Sequence, residues 1–517
     1  MKEHNNITSD IESLWLILFP LLSKCTSLVF FLLFLLKSIF HWAHPGGPAW
    51  ANHSVIPGPR GFPFIGSMFL MTGLAHRKIY AAAQSCGAKR LMAFSLGQTR
   101  VIVTCHPDVA KEILNGSAFV DRPVKESART LMFDRAIGFA PYGAYWRTLR
   151  RIAAMHLFCP KQMRASEWQR KVISQEMVEM MHHQKRESIC VRDLIRRASL
   201  CNMMWSVFGR KHRLADSDDV QLVELRELVD EGYEVLGMFN WTDHLPWLTD
   251  FDPQGIRFRC SNLLPKVKHF VNRMIQEHRS QTTPNYSNAD FTHVLLSLQG
   301  SERLSDSDMI AVLWEMIFRG TDTVAVMMEW ILARLVLHPD VQLKVQEELD
   351  RVVGRCRPVT ESDIANLIYL PAVVKEVLRL HPPGPLLSWA RLAVSDTTVD
   401  GHHVAAGTTA MVNMWAICRD QHLWKEPSEF RPERFDKDFS VMGSDLRVAP
   451  FGSGRRSCPG KTLGLTTVSF WVASLLQEFE LDGNDVDLTE VLKLSCEMAN
   501  PLILNVRPRC PSTTSFL

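Results

Sequence analysis

The distribution of apolar positions predicts a membrane anchor at the amino terminus. Between positions 14 and 36, 18 of 23 residues are apolar, and 23 residues of helix at about 1.5 Å each span a hydrocarbon layer of ~30 Å. Acidic residues precede this stretch, and four basic residues follow it: Lys37, Arg60, Arg77 and Lys78. The carboxyl side should therefore be cytosolic. Two alternatives stay open, a cleaved signal peptide and a buried core helix over Leu28–Leu36.

A segment dense in proline and glycine follows the predicted anchor. Pro45 to Gly66 contains five prolines and five glycines in 22 residues, which fix φ at some positions, free it at others and prevent a helix from continuing. We therefore expect a hinge over residues 37–66. Beyond it the sequence has no internal repeat, and the polar run Ser280–Asn288 is interpreted as a surface loop. Residues 57–517 are predicted to form a single domain.

This domain is predicted to be mainly α-helical with smaller β-sheets, an α+β fold, because most of it has helical periodicity. Two β-hairpins interrupt the helical pattern. Leu91–Thr104 is broken at Gly97, and Val399–His402 has Asp-Gly at its centre.

The longest predicted helix begins at Ser305, where Asp308 follows three residues later in a capping-box-like pattern. It continues to about Leu337, because Pro339 then ends it. The helix would have roughly 33 residues and a length of ~50 Å.

The middle of this helix, Phe318–Thr323, places a glycine, two threonines and a carboxylate among apolar residues. Glycine in a helix costs ~1 kcal/mol relative to alanine, and threonine bends a helix when it bonds back to a carbonyl one turn earlier. A loose turn without function is one interpretation. The other is a groove that admits a ligand against the backbone, with Asp322 and Thr323 beside it to transfer protons.

Two further pairs of charged residues lie inside apolar helical segments. Glu376 and Arg379 are three residues apart, hence adjacent on one helix face. A surface ion pair is one interpretation, and a buried pair with a third partner is the other. Arg319 must also find a partner or reach solvent. We expect it to point away from the ligand groove, with Glu315 one turn earlier as a candidate partner.

Composition and charge exclude several classes of protein. The chain has 517 residues, 46% of them hydrophobic and 22% charged, which excludes collagen-like and largely disordered proteins. The net charge of +3 is too small to indicate nucleic-acid binding. The 12 cysteines are scattered without a CxxC pair, so the sequence indicates neither a disulfide framework nor a zinc ribbon.

One cysteine stands out from the others because of its neighbours. Cys458 lies in a loop, Phe451–Gly460, that contains three glycines and two arginines and directly precedes an apolar helical stretch. Amide donors and positive charge near sulfur favour a thiolate, which can ligate a metal ion. Since no clustered Cys/His set offers a tetrahedral shell, a metal held by one protein ligand would bring its own equatorial ligands, which describes haem.

Four ordered motifs resemble those of the cytochrome P-450 superfamily. The FxxGxRxCxG signature matches at Phe451, Gly454, Arg456, Cys458 and Gly460; ExxR matches at Glu376 and Arg379; the PERF-type element matches at Pro432–Phe435; and WxxxR matches at Trp146 and Arg150. The anchor and hinge are similar to those of the microsomal class. Residues 139–162 and 318–330 resemble the plant 78A subfamily. The resemblance implies the P-450 fold, with the long helix over the haem.

The resemblance also implies the roles of individual residues. Cys458 would be the axial ligand of the iron in haem b, where a thiolate favours O–O cleavage. The residues implied to hold the haem are Arg456, Phe451, Gly454, Gly460, Trp146, Arg150 and Arg391. Glu376, Arg379 and Arg434 would form a buried triad. Asp322 and Thr323 match the acid and alcohol that deliver protons during oxygen activation, whereas Arg319 stands where the superfamily usually has a small residue.

The implied function is that of a monooxygenase inserting one oxygen atom of O2 into a lipophilic substrate, fatty-acid-like by analogy, in plant organ growth. Its partners would be membrane lipid and an NADPH-cytochrome P-450 reductase that supplies electrons through flavins, with no nucleic acid. The protein would be a single-pass protein of the endoplasmic reticulum with a cytosolic catalytic domain. By analogy, Arg122–Gly138 and the segments near Leu386 and Asn500 would line the pocket. A positive face for the reductase is predicted from Arg147, Arg150, Arg151, Arg455 and Lys461.

Two other functions stay open. A haem-thiolate isomerase or dehydratase would turn over hydroperoxides without O2 or electrons, and a haem sensor would bind the cofactor without forming a product. The presence of Asp322 and Thr323 favours the monooxygenase, since the isomerases commonly lack that pair.

Overall fold

A computed structural model describes residues 23–509, apart from 38, 40–43, 52, 54, 184–187, 217, 281–289, 388–389, 436 and 484. Residues 23–37 are helical and exposed to solvent. Within this described part of the chain, no helix has both the length and the apolar character needed to cross a bilayer. Positions 14–22 of the predicted anchor lie outside the described residues, as do positions 281–288 of the predicted surface loop.

Helices make up most of the domain, as the sequence predicts. In chain order they are α1 (Ala75–Ser85), α2 (Pro107–Asn115), α3 (Glu126–Leu131), α4 (Ala144–His156), α5 (Pro160–Ala165), α6 (Glu167–His183), α7 (Val191–Phe208), α8 (Val220–Gly237), α9 (Ile256–Ser280), α10 (Phe291–Ser297), α11 (Asp306–Leu337), α12 (Pro339–Val352), α13 (Glu361–Ile364), α14 (Tyr369–Leu380), α15 (Met414–Ile417) and α16 (Lys461–Glu478).

The strands are short, and within the described residues they form four small sheets. They are β1 (Met92–Leu96), β2 (Thr99–Thr104), β3 (Ile189–Cys190), β4 (Arg391–Leu392), β5 (Thr397–Val399), β6 (His402–Val404), β7 (Thr409–Val412), β8 (Phe479–Asp482), β9 (Glu490–Leu492), β10 (Cys496–Met498) and β11 (Ile503–Pro508). The largest sheet has the order β1-β2-β7-β4, in which β2 and β7 run parallel and the other neighbours antiparallel. The others are β3-β11-β8, β9-β10 and β5-β6.

Both predicted hairpins are confirmed. β1 and β2 pair antiparallel and turn at Gly97, whose φ is +54°. A Cβ at this glycine would lie 2.2 Å from the carbonyl oxygen of His244, so the turn also needs glycine for packing. β5 and β6 pair around Asp400 and Gly401, which both have positive φ, as a two-residue hairpin turn requires.

The long helix α11 is confirmed close to its predicted ends. The hydroxyl of Ser305 accepts a hydrogen bond from the backbone N–H of Asp308 at 3.2 Å, which caps the helix. Most of α11 is buried, because it runs through the domain against α7, α14, α16 and the β9-β10 hairpin. It therefore positions its irregular middle in the interior.

The segment predicted as a hinge is docked against β1 where the structure describes it. Trp50 is buried, and its indole N–H donates to the carbonyl of Phe94 at 3.1 Å. The hydroxyl of Ser95 donates to the carbonyl of Gly46 at 2.7 Å. A Cβ at Gly58 would lie 1.8 Å from the carbonyl oxygen of Ala93. Glycine at this position therefore permits close backbone packing.

Candidate active site

A cavity lies between the middle of α11 and the loop that precedes α16. Thr323 lines it from α11, and Cys458 lines it from the loop. Six further residues that the family resemblance implies also line it: Phe451, Gly460, Arg456, Trp146, Arg150 and Arg391. Asp322 and Gly454 are not among its described lining residues. The cavity thus gathers most of the predicted site residues from distant parts of the chain.

The segments predicted to line the pocket contribute unequally. Arg122, Ile137 and Gly138 line it from the segment between α2 and α4, and Leu387 lines it next to the predicted Leu386. Among the described lining residues, none comes from the neighbourhood of Asn500. That part of the prediction is wrong for this cavity.

The backbone of the loop holds Cys458 at the amino end of α16. The N–H of Cys458 donates to the carbonyl of Phe451 at 2.9 Å and closes the loop. Gly452 and Gly454 have φ values of +67° and +69°, which L-residues rarely adopt. A Cβ at Gly454 would also lie 2.2 Å from the carbonyl oxygen of Leu114. Gly454 therefore shapes the loop and does not face the cavity.

The pKa of the Cys458 thiol is raised, because burial outweighs the stabilising effect of its neighbours. Arg319, the amide of Gly460, Arg150 and Lys461 all lower it, but not enough. Positive charge and an amide near the sulfur thus act in the direction that the sequence predicts, but burial outweighs them in the protein without a bound metal ion. A bound metal ion deprotonates a coordinating thiol directly, so coordination would complete what the neighbouring charges begin.

Arg456 is held by four protein acceptors and one ring. It donates to the carbonyls of Val120 at 2.8 Å, Ile137 at 3.3 Å and Ala140 at 2.7 Å. It also donates to the carboxylate of Asp121 at 3.1 Å. Its guanidinium lies 4.5 Å from the centre of the Trp146 ring. The predicted pair Arg456 and Trp146 is thus a rigid unit in the cavity wall.

Four other arginines line the same cavity: Arg122, Arg150, Arg319 and Arg391. Arg150 donates to the carbonyl of Ser457 at 3.1 Å, and Arg391 donates to the carbonyl of Ser453 at 3.1 Å, so both brace the cysteine loop. Burial, together with the charges of Arg456 and Arg150, lowers the pKa of Arg391 to about 10. The mutual repulsion shows that the cavity wall is strongly positive.

This wall fits a haem. Haem is a flat apolar ring with two carboxylates, and a cavity lined by apolar side chains and five arginines, of which Arg391 and Arg456 are buried, complements both features. Cys458 is the only cysteine among the described lining residues, which agrees with a group held by one protein sulfur. Burial lowers the pKa of Arg122, Arg150 and Arg456 as well. The negative charges of an acidic ligand would compensate these poorly solvated positive charges.

Asp322 and Thr323 are neighbours in sequence but lie on different sides of α11. Thr323 faces the cavity, whereas Asp322 faces a second opening of about 340 Å³, between α7, α8, α11 and the β9-β10 turn. We call this opening the Asp322 cleft. Arg196 lies 3.2 Å from the carboxylate of Asp322 and 2.7 Å from that of Glu497. Burial raises the pKa of Asp322, and Arg196 acts against that rise.

No local sequence pattern indicates the residues that modify the middle of α11. The hydroxyl of Tyr233 on α8 donates to the carbonyl of Phe318 at 2.7 Å, and that of Thr321 donates to the same carbonyl at 3.3 Å. A Cβ at Gly320 would lie 2.5 Å from the side chain of Met203 on α7. This glycine therefore also admits a neighbouring helix. Neither Tyr233 nor Arg196 belongs to a local motif, so no sequence signal indicated them.

The structure corrects the predicted direction of Arg319. Its guanidinium lies 3.8 Å from the carboxylate of Glu315, the expected partner, but it lines the cavity together with Cys458. Glu315 is buried and also accepts from the backbone N–H of Gly138 at 2.8 Å. Since Glu315 faces the cavity wall, the pair cannot turn outward, and the expectation that Arg319 points away is wrong.

Behind the cavity, a buried ionic network contains the predicted third partner. The carboxylate of Glu376 accepts from Arg379 at 2.7 and 2.8 Å, from Arg434 at 3.1 Å and from the backbone N–H of Arg431 at 2.9 Å. Arg379 also donates to the carbonyls of Cys418 and Pro427, each at 2.7 Å. The network joins α14 to the segment that leads to the cysteine loop. The surface interpretation of Glu376 and Arg379 is excluded, because both are fully buried.

Comparison with known proteins gives consistent matches over nearly the whole chain. A family model described as Cytochrome P450 matches residues 56–501. The protein named Cytochrome P450 78A3 of Glycine max is 63% identical over 526 residues, covering 97% of this chain and 100% of that protein. Cytochrome P450 78A9 of Arabidopsis thaliana is 62% identical and covers 95% of this chain and 97% of that protein. Flavonoid 3'-monooxygenase of Arabidopsis thaliana is 34% identical, with coverages of 89% and 92%.

Proposed function

Since the chain belongs to the cytochrome P450 family and is a monooxygenase of that family, we propose that it inserts one oxygen atom of O2 into a lipophilic, fatty-acid-like substrate. Electrons would come from an NADPH-dependent flavoprotein reductase. One observation carries this proposal: Cys458 and Thr323 line the same cavity, within a wall of arginines and apolar side chains. The cavity therefore combines a site for the cofactor, a hydroxyl for proton transfer and an apolar space for a substrate.

The family implies haem b as the cofactor. Cys458 would ligate its iron, and Arg456, Arg150 and Arg391 would hold its carboxylates through charge-assisted bonds. Trp146 would contribute its ring to the cavity wall, because its indole N–H already donates to the carbonyl of Ile137 at 2.9 Å. When bound, haem supplies oxygen activation at an iron that a thiolate ligand makes electron-rich. The chain itself excludes water with the apolar wall and positions the proton donors.

We assign proton transfer to Asp322 and Thr323, which would act one after the other. The Thr323 hydroxyl faces the cavity, and the Asp322 carboxyl beside it faces the Asp322 cleft. Because burial raises the pKa of Asp322, this carboxyl holds a proton more readily than an exposed aspartate does. Arg196, which is 30% exposed, links it to the mouth of the cleft. Protons would thus enter from the cleft side and leave through the Thr323 hydroxyl.

Replacing Thr323 with alanine should uncouple electron use from product formation. The variant should retain haem and NADPH consumption, because Thr323 lies on α11, whereas Cys458 lies in the loop before α16. Product should fall 10²- to 10⁴-fold, the usual effect of removing a positioned proton donor, and hydrogen peroxide should account for the missing electrons. Thr323→Ser is the matched control and should restore coupling. Loss of haem from Thr323→Ala, or unchanged coupling, would contradict the assignment.

The substrate class is tested by turnover against a panel. The full-length protein is incubated with NADPH, a plant reductase and O2, together with fatty acids, their methyl esters and flavonoids, and products are identified by mass spectrometry. Hydroxylated fatty acids that require both O2 and NADPH would support the proposal. Turnover of fatty-acid hydroperoxides without electrons would favour the isomerase or dehydratase, and haem binding without any product would favour the sensor. Flavonoids are included because one relative is named for them. The proposed role in plant organ growth requires the substrate to be a lipid that affects growth.

Replacing Arg319 should change substrate preference more than stability. Arg319 lines the cavity and is 35% exposed within it, so Arg319→Ala enlarges the space and removes a positive charge close to Cys458. We expect a shift of at least tenfold in relative turnover between fatty acids and their methyl esters, since one charged contact is worth roughly 1.5 to 3 kcal/mol. Arg319→Lys keeps the charge and is the control. If Arg319→Ala unfolds more easily but keeps the preference, Arg319 acts only as a structural partner of Glu315.

The positive face near the cysteine loop is proposed as the contact for the reductase. Arg147, Arg151 and Arg455 are exposed, and the guanidinium groups of Arg147 and Arg455 lie 5.6 and 5.8 Å from the ring of Tyr142. Lys461 is less suited, because its ammonium donates to the carbonyl of Met442 at 2.8 Å. Arg151 pairs with Glu302 at 2.6 Å. The face is therefore centred on Arg147 and Arg455.

Charge reversal at Arg147 and Arg455 should slow reduction of the haem and weaken its dependence on salt. Electrostatic steering acts on the association rate, so the double variant Arg147→Glu, Arg455→Glu should be reduced at least tenfold more slowly at low ionic strength. Stopped-flow absorbance with the reductase measures this rate. Charge reversal at Arg355, which pairs with Asp350 on another exposed surface, is the control. Equal rates of haem reduction for the Arg147/Arg455 variant and the Arg355 variant would show that the reductase does not bind this positive face.

The amino terminus is proposed as an endoplasmic reticulum anchor over positions 14–36. The helix at 23–37 supports this, because Leu28–Leu36 is an unbroken apolar run whose side chains are exposed. Exposed apolar surface of this extent marks contact with lipid or another protein. The catalytic domain would then be cytosolic. Membrane flotation of the full chain, compared with a chain that starts at Pro45, tests the anchor: both forms remaining soluble would exclude it.

A further inference from the structure

We propose that His76, Glu490 and Cys496 form a buried site for a transition-metal ion, with zinc as the favoured ion. One ligand atom from each of the three side chains lies within 4.8 Å of the other two. None of the three is among the described residues that line the cavity with Cys458. The site is therefore distinct from the haem position and does not depend on the proposed oxidation chemistry.

Three elements that are distant in sequence bring the ligands together. His76 is the second residue of α1, Glu490 begins β9, and Cys496 begins β10. β9 and β10 pair antiparallel, with Glu490 opposite Met498 and Cys496 opposite Leu492. Alternate residues of a strand share a face, so Glu490 and Cys496 lie on the same face of the hairpin. α1 places His76 over that face.

The ligand atoms are buried and incompletely satisfied. His76 is 0% exposed, and within the described structure neither of its ring nitrogens has a hydrogen-bond partner. Its Nε2 lies 3.7 Å from a carboxylate oxygen of Glu490. A buried polar group left without a partner destabilises the fold. A cation between imidazole, carboxylate and thiol would satisfy all three groups at once.

The donor set suits zinc. Imidazole nitrogen, carboxylate oxygen and thiolate sulfur are the three ligand types of protein zinc sites. A neutral imidazole is the ligating form of a histidine, and an ionised carboxylate is that of a glutamate. Cys496 would release its proton on binding, and water would take the fourth position.

Nearby cations decide how readily the metal ion enters. Arg77 pairs with Glu490 at 2.6 Å, and its side chain is 48% exposed, so it can withdraw into solvent when a metal ion takes its place. His381 lies 3.4 Å from the other oxygen of Glu490. Arg334 donates to Nε2 of His381 at 3.0 Å, which leaves the proton on the nitrogen that faces Glu490. His381 therefore orients the carboxylate and is not a ligand.

Two more groups border the site without entering it. The guanidinium of Arg419 donates to the carbonyl of Leu380 and stacks at 4.5 Å on the ring of Trp415. The ring of Trp415 in turn lies 5.3 Å from that of His76. Arg419 is thus held by its own partners, and Arg77 is the charge that a metal ion would displace from Glu490.

The test uses the full-length, haem-loaded protein, in which Cys458 is already engaged by iron. The protein is treated with EDTA, equilibrated with zinc chloride and freed of excess zinc, after which zinc and iron are measured by mass spectrometry. X-ray absorption at the zinc edge then identifies the ligands. We expect one zinc ion per chain, with one sulfur at ~2.3 Å and nitrogen or oxygen ligands at ~2.0 Å.

Substitutions test which side chains bind the zinc ion. Cys496→Ser and His76→Gln should weaken zinc binding at least tenfold, whereas Cys201→Ser, a change of a buried cysteine on α7, should bind as the parent does. Arg77→Gln should bind zinc more tightly, because the competing charge is gone. The carbon monoxide spectrum checks that each variant is folded. The proposal is overturned if the parent protein retains no zinc, if its zinc-edge spectrum lacks sulfur, or if folded Cys496→Ser binds zinc as tightly as the parent. The zinc-edge spectrum decides the question even if both ligand variants fail to fold.

Discussion

Replacing Cys458 with alanine is expected to abolish the thiolate-type spectrum of the reduced carbon monoxide complex and all turnover with NADPH. Cys458 is the only cysteine among the described lining residues of the cavity, and its backbone is fixed by Phe451 and by the start of α16. If Cys458 ligates the haem iron as proposed, removing the sulfur would leave the iron without its protein ligand. Difference spectroscopy at matched haem concentration measures the effect.

The control is Cys418→Ala. Cys418 is also buried, and burial raises the pKa of its thiol to about 12, but its sulfur donates to the carbonyl of Arg447 at 3.4 Å and is not among the cavity's described lining residues. This variant should keep the thiolate spectrum. A spectrum that survives in Cys458→Ala, or disappears in Cys418→Ala, would show that the ligand has been assigned to the wrong residue.

Replacing Glu376 with glutamine is expected to destabilise the fold by about 3 to 5 kcal/mol, the effect of breaking a buried ion pair. The carboxylate of Glu376 is the shared acceptor for Arg379 and Arg434, and the exposed fractions of the Glu376 and Arg379 side chains are 0%. Without its charge, two guanidinium groups stay buried with carbonyl acceptors alone. Because folding free energies are typically only 5 to 15 kcal/mol, we expect little folded, haem-containing protein. Urea unfolding followed by circular dichroism and haem absorbance measures the change.

Glu433→Gln is the matched control, because Glu433 lies in the same segment as Arg434. Its carboxylate pairs with Lys344 at 2.8 Å, and both side chains are about half exposed at 48% and 50%. Exposed pairs contribute at most ~1 kcal/mol. If both glutamine variants lose similar stability, burial of the Glu376 network is not what stabilises this part of the fold.

The features predicted well from sequence depend on residues close together in the chain. Both ends of α11 were predicted because Ser305 supplies a capping hydroxyl and Pro339 cannot continue the helix. The two hairpins are predicted because glycine and an Asp-Gly pair are residue types that favour a turn. In the structure Gly97, Asp400 and Gly401 all have positive φ. The family motifs pointed to Cys458, Arg456 and Trp146, and the cavity gathers them. The network around Glu376 was foreseen because an apolar helix face leaves a charged pair in need of partners.

The features that were missed or misjudged depend on contacts between distant segments. Arg319 faces the cavity because Glu315 is held there by the backbone of Gly138, which lies some 180 residues earlier in the chain. The pKa of Cys458 is raised because burial, which no local pattern records, outweighs the neighbouring positive charges. Arg196 and Tyr233 reach α11 from α7 and α8. His76, Glu490 and Cys496 form a cluster only because α1 packs on the β9-β10 hairpin. Local patterns specify helices, turns and ligand types, whereas side-chain direction, burial and partner choice arise when remote elements pack.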